Sequence, residues 1–413
     1  MLSEKTIQIV KATAPILEKQ GENLTRHFYK RMFSHNPEVL PLFNLANQAA
    51  GSQQKALAGA ICAYAKNIDN LDALTGTIEQ IVQKHASLQI KPAHYPVVGE
   101  NLLASIKAVL GGAASNDVID AWAEAFGFLS DIFIGREAEI YAGHESFSGG
   151  WRGFKDFRVS LKQKESVNIT SFYLMPIDGG PVPDFKPGQY ITVRVSTAEG
   201  STTMRNYSLS DKPGQPYLRI SVKRELGSDS TTPDGYVSNR LHSDIEVGSV
   251  IEVGPPCGEF CIDFSEKSDR PLIFLAAGIG ITPICSMLHS ALESMPDRQI
   301  VLIHAILNED VQPFKSVFDR LATEHRNLTI HYRYSEPATT QVLRTNNAST
   351  GLVDMELIES LAPSCDADYF FCGPKPFMIS IYQSLVSSGI PKSRLHFEFF
   401  GPRAALLAKP AIF

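Results

Sequence analysis

Through the first third of the chain, apolar residues recur at intervals of three and four. Ile7, Val10, Ala14 and Leu17 form one such set, Leu57, Ile61, Tyr64 and Ile68 another, and Trp122, Phe126, Leu129 and Phe133 a third. That period puts each set on one face of a helix, and no alternating strand pattern interrupts it, so the region is predicted to be all-α. Ser3, followed by Glu4 and Lys5, has the chemistry of an N-cap, and Pro92 and Gly111-Gly112 punctuate between helices. The pattern changes at Gly149-Gly150-Trp151-Arg152-Gly153. Beyond it, short β-rich runs (Tyr190 to Val195, Leu218 to Lys223) alternate with Pro/Gly turns, which predicts a small antiparallel β-barrel. From Arg270 onward the continuous apolar run Pro271 to Ala277 reads as a buried strand opening a βαβ series, continued by Ile300 to Ala305 and Ala367 to Cys372. The predicted architecture is therefore multidomain: all-α over 1–138, antiparallel β-barrel over 150–265, α/β over 268–402, and a tail over 403–413.

Composition agrees with several ordinary cores. A chain of 413 residues exceeds what one core serves, and 44% hydrophobic with 20% charged residues is the balance of a globular protein. A net charge of -6 leaves no basic footprint for nucleic acid. The N-terminus leads straight into an amphipathic pattern without a secretory signal, and no run of about 18 apolar residues is present. A cytoplasmic protein without integral membrane contact is expected, acting as a monomer. The six cysteines are scattered, and the lone C-x3-C of Cys257 and Cys261 matches no zinc or iron–sulfur framework.

The most specific signals lie in the last two-thirds. Gly278-Ile279-Gly280-Ile281-Thr282-Pro283 follows the first buried strand and opens a helix expected from Pro283 to Ser290. Glycines there let the backbone approach a pyrophosphate, and the helix N-terminus adds N–H donors. By itself a GxG is also compatible with a plain tight turn. Cys372-Gly373-Pro374 ends another buried strand, where ligands of open α/β sheets gather. In Arg205-Asn206-Tyr207-Ser208, an arginine fork suits a phosphate, a tyrosine a planar ring and a serine its polar edge, although any strand could carry these four. Gly235-Tyr236-Val237-Ser238-Asn239 opens a further helix with donors for a diphosphate.

Taken in order, Arg-x-Tyr-Ser, Gly-x-Gly-x-Thr-Pro and Cys-Gly-Pro resemble the ferredoxin–NADP reductase family, and with the helical third in front the chain resembles the bacterial flavohaemoglobins. The resemblance implies a globin followed by an FAD-binding barrel and an NAD(P)H-binding domain, with haem b, FAD and NADH or NADPH as cofactors. It implies His85 as the axial ligand of haem iron, Phe43, Gln53 and Leu57 in the haem pocket, and the Tyr29 hydroxyl over the bound gas. It further implies Tyr95 and Glu137 as the pair bonded towards His85, with a surface ion pair to Arg136 as the other reading of Glu137. A carboxylate partner on the ring N–H makes an imidazole more basic. Lys84 and Glu398 match residues at the haem–flavin contact. Tyr190, Arg205, Asn206, Tyr207, Ser208, Val237, Ser238, Asn239, Phe399, Phe400, Gly401 and Pro402 match FAD contacts. Gly278, Ile279, Gly280, Ile281, Thr282, Pro283, Cys372, Gly373 and Pro374 match the nicotinamide-binding segments.

The implied activity is that of a nitric oxide dioxygenase, in which NAD(P)H electrons pass through FAD to haem and NO is oxidised with O2 to nitrate. The alternative is an NAD(P)H-dependent reductase whose globin senses gas or whose electrons go to an external acceptor. A pure gas carrier has no use for hydride chemistry. A ferredoxin-linked reductase would need the C-x4-C-x2-C run that this chain lacks. NADH versus NADPH, the polar loop 226–234 and the tail are left open by the sequence.

Overall fold

The structure, a computed structural model, describes residues 2–43, 52–197, 200–227, 234–265, 268–339, 347–362 and 364–400. Gly401, Pro402, the tail and residues 228–233 of the polar loop lie outside the described residues.

The first domain is helical: α1 (Glu4–Lys19), α2 (Gly21–His35), α3 (Ser52–Lys66), α4 (Thr75–Ser87), α5 (His94–Leu110) and α6 (Asn116–Ser146). Ser3 caps α1 by accepting from the Thr6 backbone N–H at 3.1 Å, as its chemistry predicts. The three- and four-residue apolar spacing becomes one core in which Val10, Leu17, Phe28, Met32, Ile106 and Trp122 are buried. Helix α6 runs on to Ser146, past the boundary placed at 138, because its inward face continues through Ile140 and Tyr141, both buried. The Tyr141 hydroxyl donates to the Ile90 carbonyl at 2.6 Å, and the Arg152 guanidinium lies 4.9 Å from its ring centroid. The turn out of α6 requires Gly150, where a Cβ would sit 1.9 Å from the His144 carbonyl oxygen.

The second domain holds β1 (Lys155–Lys164), β2 (Ile169–Pro176), β3 (Tyr190–Ser196), β4 (Thr202–Ser208), β5 (Leu218–Lys223), α7 (Tyr236–Ser243) and β6 (Val250–Val253). Its strands pair antiparallel in the order β4-β3-β6-β1-β2-β5. A bridge between Leu209 and Ile220 brings the β4 end to β5 and closes the barrel. Alternate residues fill it: Phe157, Val159, Phe172, Leu174, Ile191 and Val193 are all buried.

The third domain comprises β7 (Leu272–Ala277), α8 (Ile281–Ser294), β8 (Ile300–Ile306), α9 (Lys315–Glu324), β9 (Leu328–Tyr334), β10 (Ala348–Thr350), α10 (Met355–Leu361), β11 (Asp368–Cys372), α11 (Lys375–Ser387) and β12 (Leu395–Glu398). Its strands are parallel in the order β10-β9-β8-β7-β11-β12. The chain starts in the middle of this sheet and winds outward both ways, so the order reverses beside β7, the position where open α/β sheets bind ligands. Both faces of β7 are covered, which is why its residues are apolar without alternation. Helix α8 starts at Ile281 and ends at Ser294, not the expected Pro283 and Ser290. Gly278–Gly280 form a tight 3-10 turn that feeds the helix directly. Among the described residues no helix is long and apolar enough to cross a membrane, and no group of His, Cys, Asp and Glu side chains is arranged to hold a metal ion.

Candidate functional site

His85 lies in the last turn of α4 and meets α5 and α6 across the helical domain. Its Nδ1 is 2.7 Å from Glu137 Oε1 and 3.2 Å from the Tyr95 hydroxyl, which donates to the same carboxylate oxygen at 2.5 Å. The Phe133 ring stands edge-on to the imidazole, 5.8 Å between centroids. Glu137 is 1% exposed. Arg136, its chain neighbour, turns outward to Glu79 and Glu139, so the surface ion pair is made without Glu137. Helical geometry explains the division, since Phe133, Glu137, Ile140 and Tyr141 share the inward face and the residue between points about 100° away. Burial, with the Glu137 hydrogen bond second, raises the pKa of the Tyr95 hydroxyl and keeps it a proton donor. Glu137 Oε2 is buried without a hydrogen-bond partner.

Tyr29, on α2, is buried in an aromatic group, with the rings of Phe28, Phe33 and Phe43 at 5.0, 5.7 and 5.8 Å. Phe43 and Leu57 are half-buried on the edge of that core, and Gln53 lies one turn before Leu57 on α3. Phe126 and Leu129 pack against both the Tyr29 core and the apolar cluster around Tyr95 and Phe133. These residues fit a haem. The surrounding side chains are apolar, one imidazole nitrogen is tied to a carboxylate, and the other, Nε2, could ligate iron.

Helix α4 also faces the barrel. Asn206 on β4 accepts from Thr192 Oγ1 at 3.2 Å and donates to Ser87 Oγ, two residues after His85, at 3.4 Å. The Lys84 ammonium is 5.7 Å from the Tyr190 ring centroid. Lys84 keeps exposed surface, and desolvation by the surrounding protein lowers its pKa while the Glu398 carboxylate opposes the shift. Burial raises the Tyr190 pKa far above the usual phenol range. The structure thus brings together Lys84, Ser87, Tyr190, Asn206 and Glu398. The strand register pairs Tyr190 with Ser208 and Val193 with Arg205, and alternation puts Arg205 and Tyr207 on one face, as phosphate and ring of one flavin nucleotide require. Ser238 and Asn239 spend their side chains on the local turn: the Ser238 hydroxyl accepts from the Glu225 N–H, and Asn239 Nδ2 donates to the carbonyls of Glu225 and Gly235. The Asn239 N–H closes the first turn of α7 on the Gly235 carbonyl at 2.9 Å, so a contribution to a diphosphate would come from the N–H groups of Tyr236, Val237 and Ser238 before it, where Val237 is buried. Phe399 and Phe400 follow β12, Phe400 half-exposed.

At the nicotinamide end, the two glycine segments meet at neighbouring strand ends. A Cβ on Gly280 would lie 2.2 Å from the Cys372 carbonyl oxygen, and one on Gly373 would lie 2.8 Å from Ala277 Cβ. Gly278 adopts φ +54°, a left-handed conformation, and Thr282 Oγ1 donates to the Ile279 carbonyl at 2.9 Å. Ile281 and Pro283 are buried beneath, and Pro374 leads into α11. That close backbone approach, at the end of β7 and the start of α8, fits a dinucleotide diphosphate.

Sequence reasoning missed four residues. Gln83 accepts from the Gly258 N–H at 3.2 Å and Gln89 from the Gly153 N–H at 3.0 Å, joining the helical domain to the barrel. Cys257, buried in the same seam, has its thiol pushed up to about 12 by burial. His304 on β8, fully buried, bonds through Nε2 to the Gly278 carbonyl at 3.2 Å. Gln83 and Ser87 are four apart on α4, a polar pair on one helix face that signalled a contact; His304 inside an apolar run gave no such sign.

Known proteins share this arrangement. The Globin family model matches residues 26–133, Oxidoreductase FAD-binding domain 156–262 and Oxidoreductase NAD-binding domain 274–383. A flavohemoprotein of Rhodopirellula baltica is 48% identical over 408 residues, covering 99% of this chain and 100% of the relative. One from Halalkalibacterium halodurans is 45% identical, covering 98% of each. Among solved structures, flavohemoglobin from Malassezia yamatoensis with bound FAD and heme is 25% identical with a TM-score of 0.83, over 97% of this chain and 100% of that one. The FAD/NAD-binding domain of nitric oxide dioxygenase from Vibrio cholerae is 32% identical with a TM-score of 0.54, over 61% of this chain and 100% of that one.

Proposed function

The chain belongs to the flavohaemoprotein family, an NAD(P)H-dependent globin–reductase with haem, FAD and a nicotinamide dinucleotide as cofactors, and from that premise we propose that it is a nitric oxide dioxygenase, oxidising NO with O2 to nitrate. The observation that carries this reading is the buried Glu137 carboxylate 2.7 Å from His85 Nδ1. A gas store has no need of that contact. A carboxylate on the ring N–H makes Nε2 a stronger electron donor, which favours activating bound O2 over holding it. The Vibrio cholerae reductase domain, similar over 61% of this chain, belongs to a protein of that name.

When bound, haem supplies O2 binding and one-electron chemistry, FAD converts a hydride into single electrons, and NAD(P)H supplies the hydride. The chain's own residues do the rest. Glu137 orients the imidazole and holds the proton on Nδ1, and Tyr95, donating to the same oxygen, fixes the carboxylate. Tyr29, in its aromatic surround, stabilises the gas ligand together with Gln53, while Phe43 and Leu57 exclude water. Tyr190 and Ser208 would meet FAD on the strand face beside α4, and Arg205 and Tyr207 on the opposite face of β4. Lys84 and Glu398 set the charge at the haem–flavin seam. Gly278, Gly280, Cys372 and Gly373 carry the dinucleotide.

Tyr29→Phe tests the reading. Removing one donor at the reacting ligand is expected to lower NO-dependent NAD(P)H oxidation about 100-fold and to speed O2 loss, with flavin reduction unchanged. Unchanged NO turnover in that variant would remove Tyr29 from the mechanism.

A further inference from the structure

The barrel and the nicotinamide domain are joined at a buried arginine outside the residues assigned to FAD and the dinucleotide. Arg219, on β5, is 9% exposed. Its Nη1 lies 3.3 Å from Asp211 Oδ2, its Nε donates to Ser210 Oγ at 3.1 Å, and its Nη2 donates to the Ser210 carbonyl. Those partners belong to the barrel. The other contacts cross the domain boundary. Nη2 lies 3.7 Å from Cys285 Sγ, and the guanidinium is 5.3 Å from the Phe314 ring centroid, with Tyr173 of the barrel at 5.8 Å. Asp211, which Arg219 holds, accepts the Ser286 hydroxyl on its carbonyl at 2.7 Å, and the Tyr217 hydroxyl donates to its carboxylate at 3.1 Å.

Cys285 and Ser286 stand in the first turns of α8, the helix that Gly278-Ile279-Gly280 opens. The barrel that carries the flavin therefore grips the helix that carries the dinucleotide just past Pro283. A second grip follows two turns on, where Lys212 pairs with Glu293. Only a planar fork can serve Asp211, Ser210 and Cys285 at once while lying between two rings, so lysine is not equivalent here.

We infer that Arg219, with Asp211 and Ser286, is a positioning device that fixes α8 against the flavin barrel and so sets the alignment of nicotinamide and flavin for hydride transfer. Arg219 is not among the residues assigned to either group; it acts through α8. The inference rests on the globin–reductase assignment and holds whichever acceptor the haem serves.

The test uses the full chain with haem and FAD. Arg219→Met removes the fork. Ser286→Ala removes one cross-domain bond without stranding a charge, and it keeps the proposal open to refutation should the first variant fold poorly. Two readouts are needed. Anaerobic stopped-flow is expected to show flavin reduction by NADH slowed about 10- to 100-fold per bound FAD in Arg219→Met, the loss that a displacement of about 1 Å brings. Arg219→Lys should recover that rate only in part, and Ser286→Ala should show a smaller loss. Without nicotinamide present, backbone amides of 281–287 should exchange with deuterium faster in both variants, with FAD content and flavin-to-haem transfer unchanged. Lowered FAD content with the wild-type rate per bound flavin would reduce Arg219 to a merely structural role and overturn the proposal. So would wild-type reduction and exchange rates in both variants.

Discussion

Glu137 sits beside Arg136, and the sequence leaves two partners open to it; the face of α6 decides between them, with Glu137 inward to His85 and Arg136 outward to Glu79 and Glu139. The residue types were legible, whereas which of two adjacent residues faces inward depends on helix phase, and phase is read safely only with apolar neighbours on both sides. Glu137→Gln keeps the shape of the side chain but weakens the electron push. NO turnover is expected to fall about 10- to 100-fold with haem retained, and resonance Raman should show a weaker iron–histidine stretch; an unchanged stretch would contradict the role given to the carboxylate. His304 was not legible at all, because a histidine within the run Ile300 to Ile306 gives no pattern of its own. Burial pushes its pKa down from 6.5 to about 4. The unfolded chain takes up that proton first, so His304 lowers stability as pH falls from 6.5 towards 4 and has no effect above 6.5. Unfolding measured across that window should show a slope smaller by up to about 1.4 kcal/mol per pH unit in His304→Gln than in the parent. Equal slopes would mean that His304 does not titrate differently on folding.

At the scale of elements, the buried strands β7, β8 and β11 were legible because both faces of a parallel sheet are covered and apolar residues follow one another without alternation. Helix ends were less legible. The start of α8 moved to Ile281 because the glycines wind into a 3-10 turn instead of a loop, and α6 ran on to Ser146 because Tyr141 packs under the barrel, a contact with no local signal. The crossing of the glycine segments gives a sharp expectation. Gly280→Ala places a Cβ 2.2 Å from the Cys372 carbonyl oxygen, so the strand ends must part and the dinucleotide cradle must distort. Flavin reduction by NADH is expected to fall about 100-fold, while haem content and the flavin spectrum stay as in the parent. A variant that reduces its flavin at the parent rate would show that this crossing does not form the dinucleotide site.

For the whole molecule, the order of domains was legible from texture, but the joint between them was not, since it is made by residues far apart in sequence. Gln83 meets Gly258, Gln89 meets Gly153, and Cys257 joins an apolar cluster with Val82, Ala86, Tyr95, Phe133, Ile140 and Tyr141. The proximal side of the His85 site is therefore completed by the barrel. A globin piece ending at Ser146 loses that cover and is expected to unfold at a lower temperature than the globin within the full chain, by about 2–4 °C for each kcal/mol that the joint contributes. Equal unfolding temperatures would show that the joint adds no stability. The same joint sets α4 with His85 towards α5 and α6 and with Lys84 and Ser87 towards the barrel, which would give the proposed electron transfer a short route. The proposed end of this route is the oxidation of NO. The most direct measurement follows NO and nitrate together in purified protein supplied with NADH and O2. NO is expected to disappear only when NADH and O2 are both present, with one nitrate formed for each NO consumed, and His85→Ala is expected to abolish both. NADH oxidation that proceeds at one rate with or without NO, and leaves no nitrate, would contradict it.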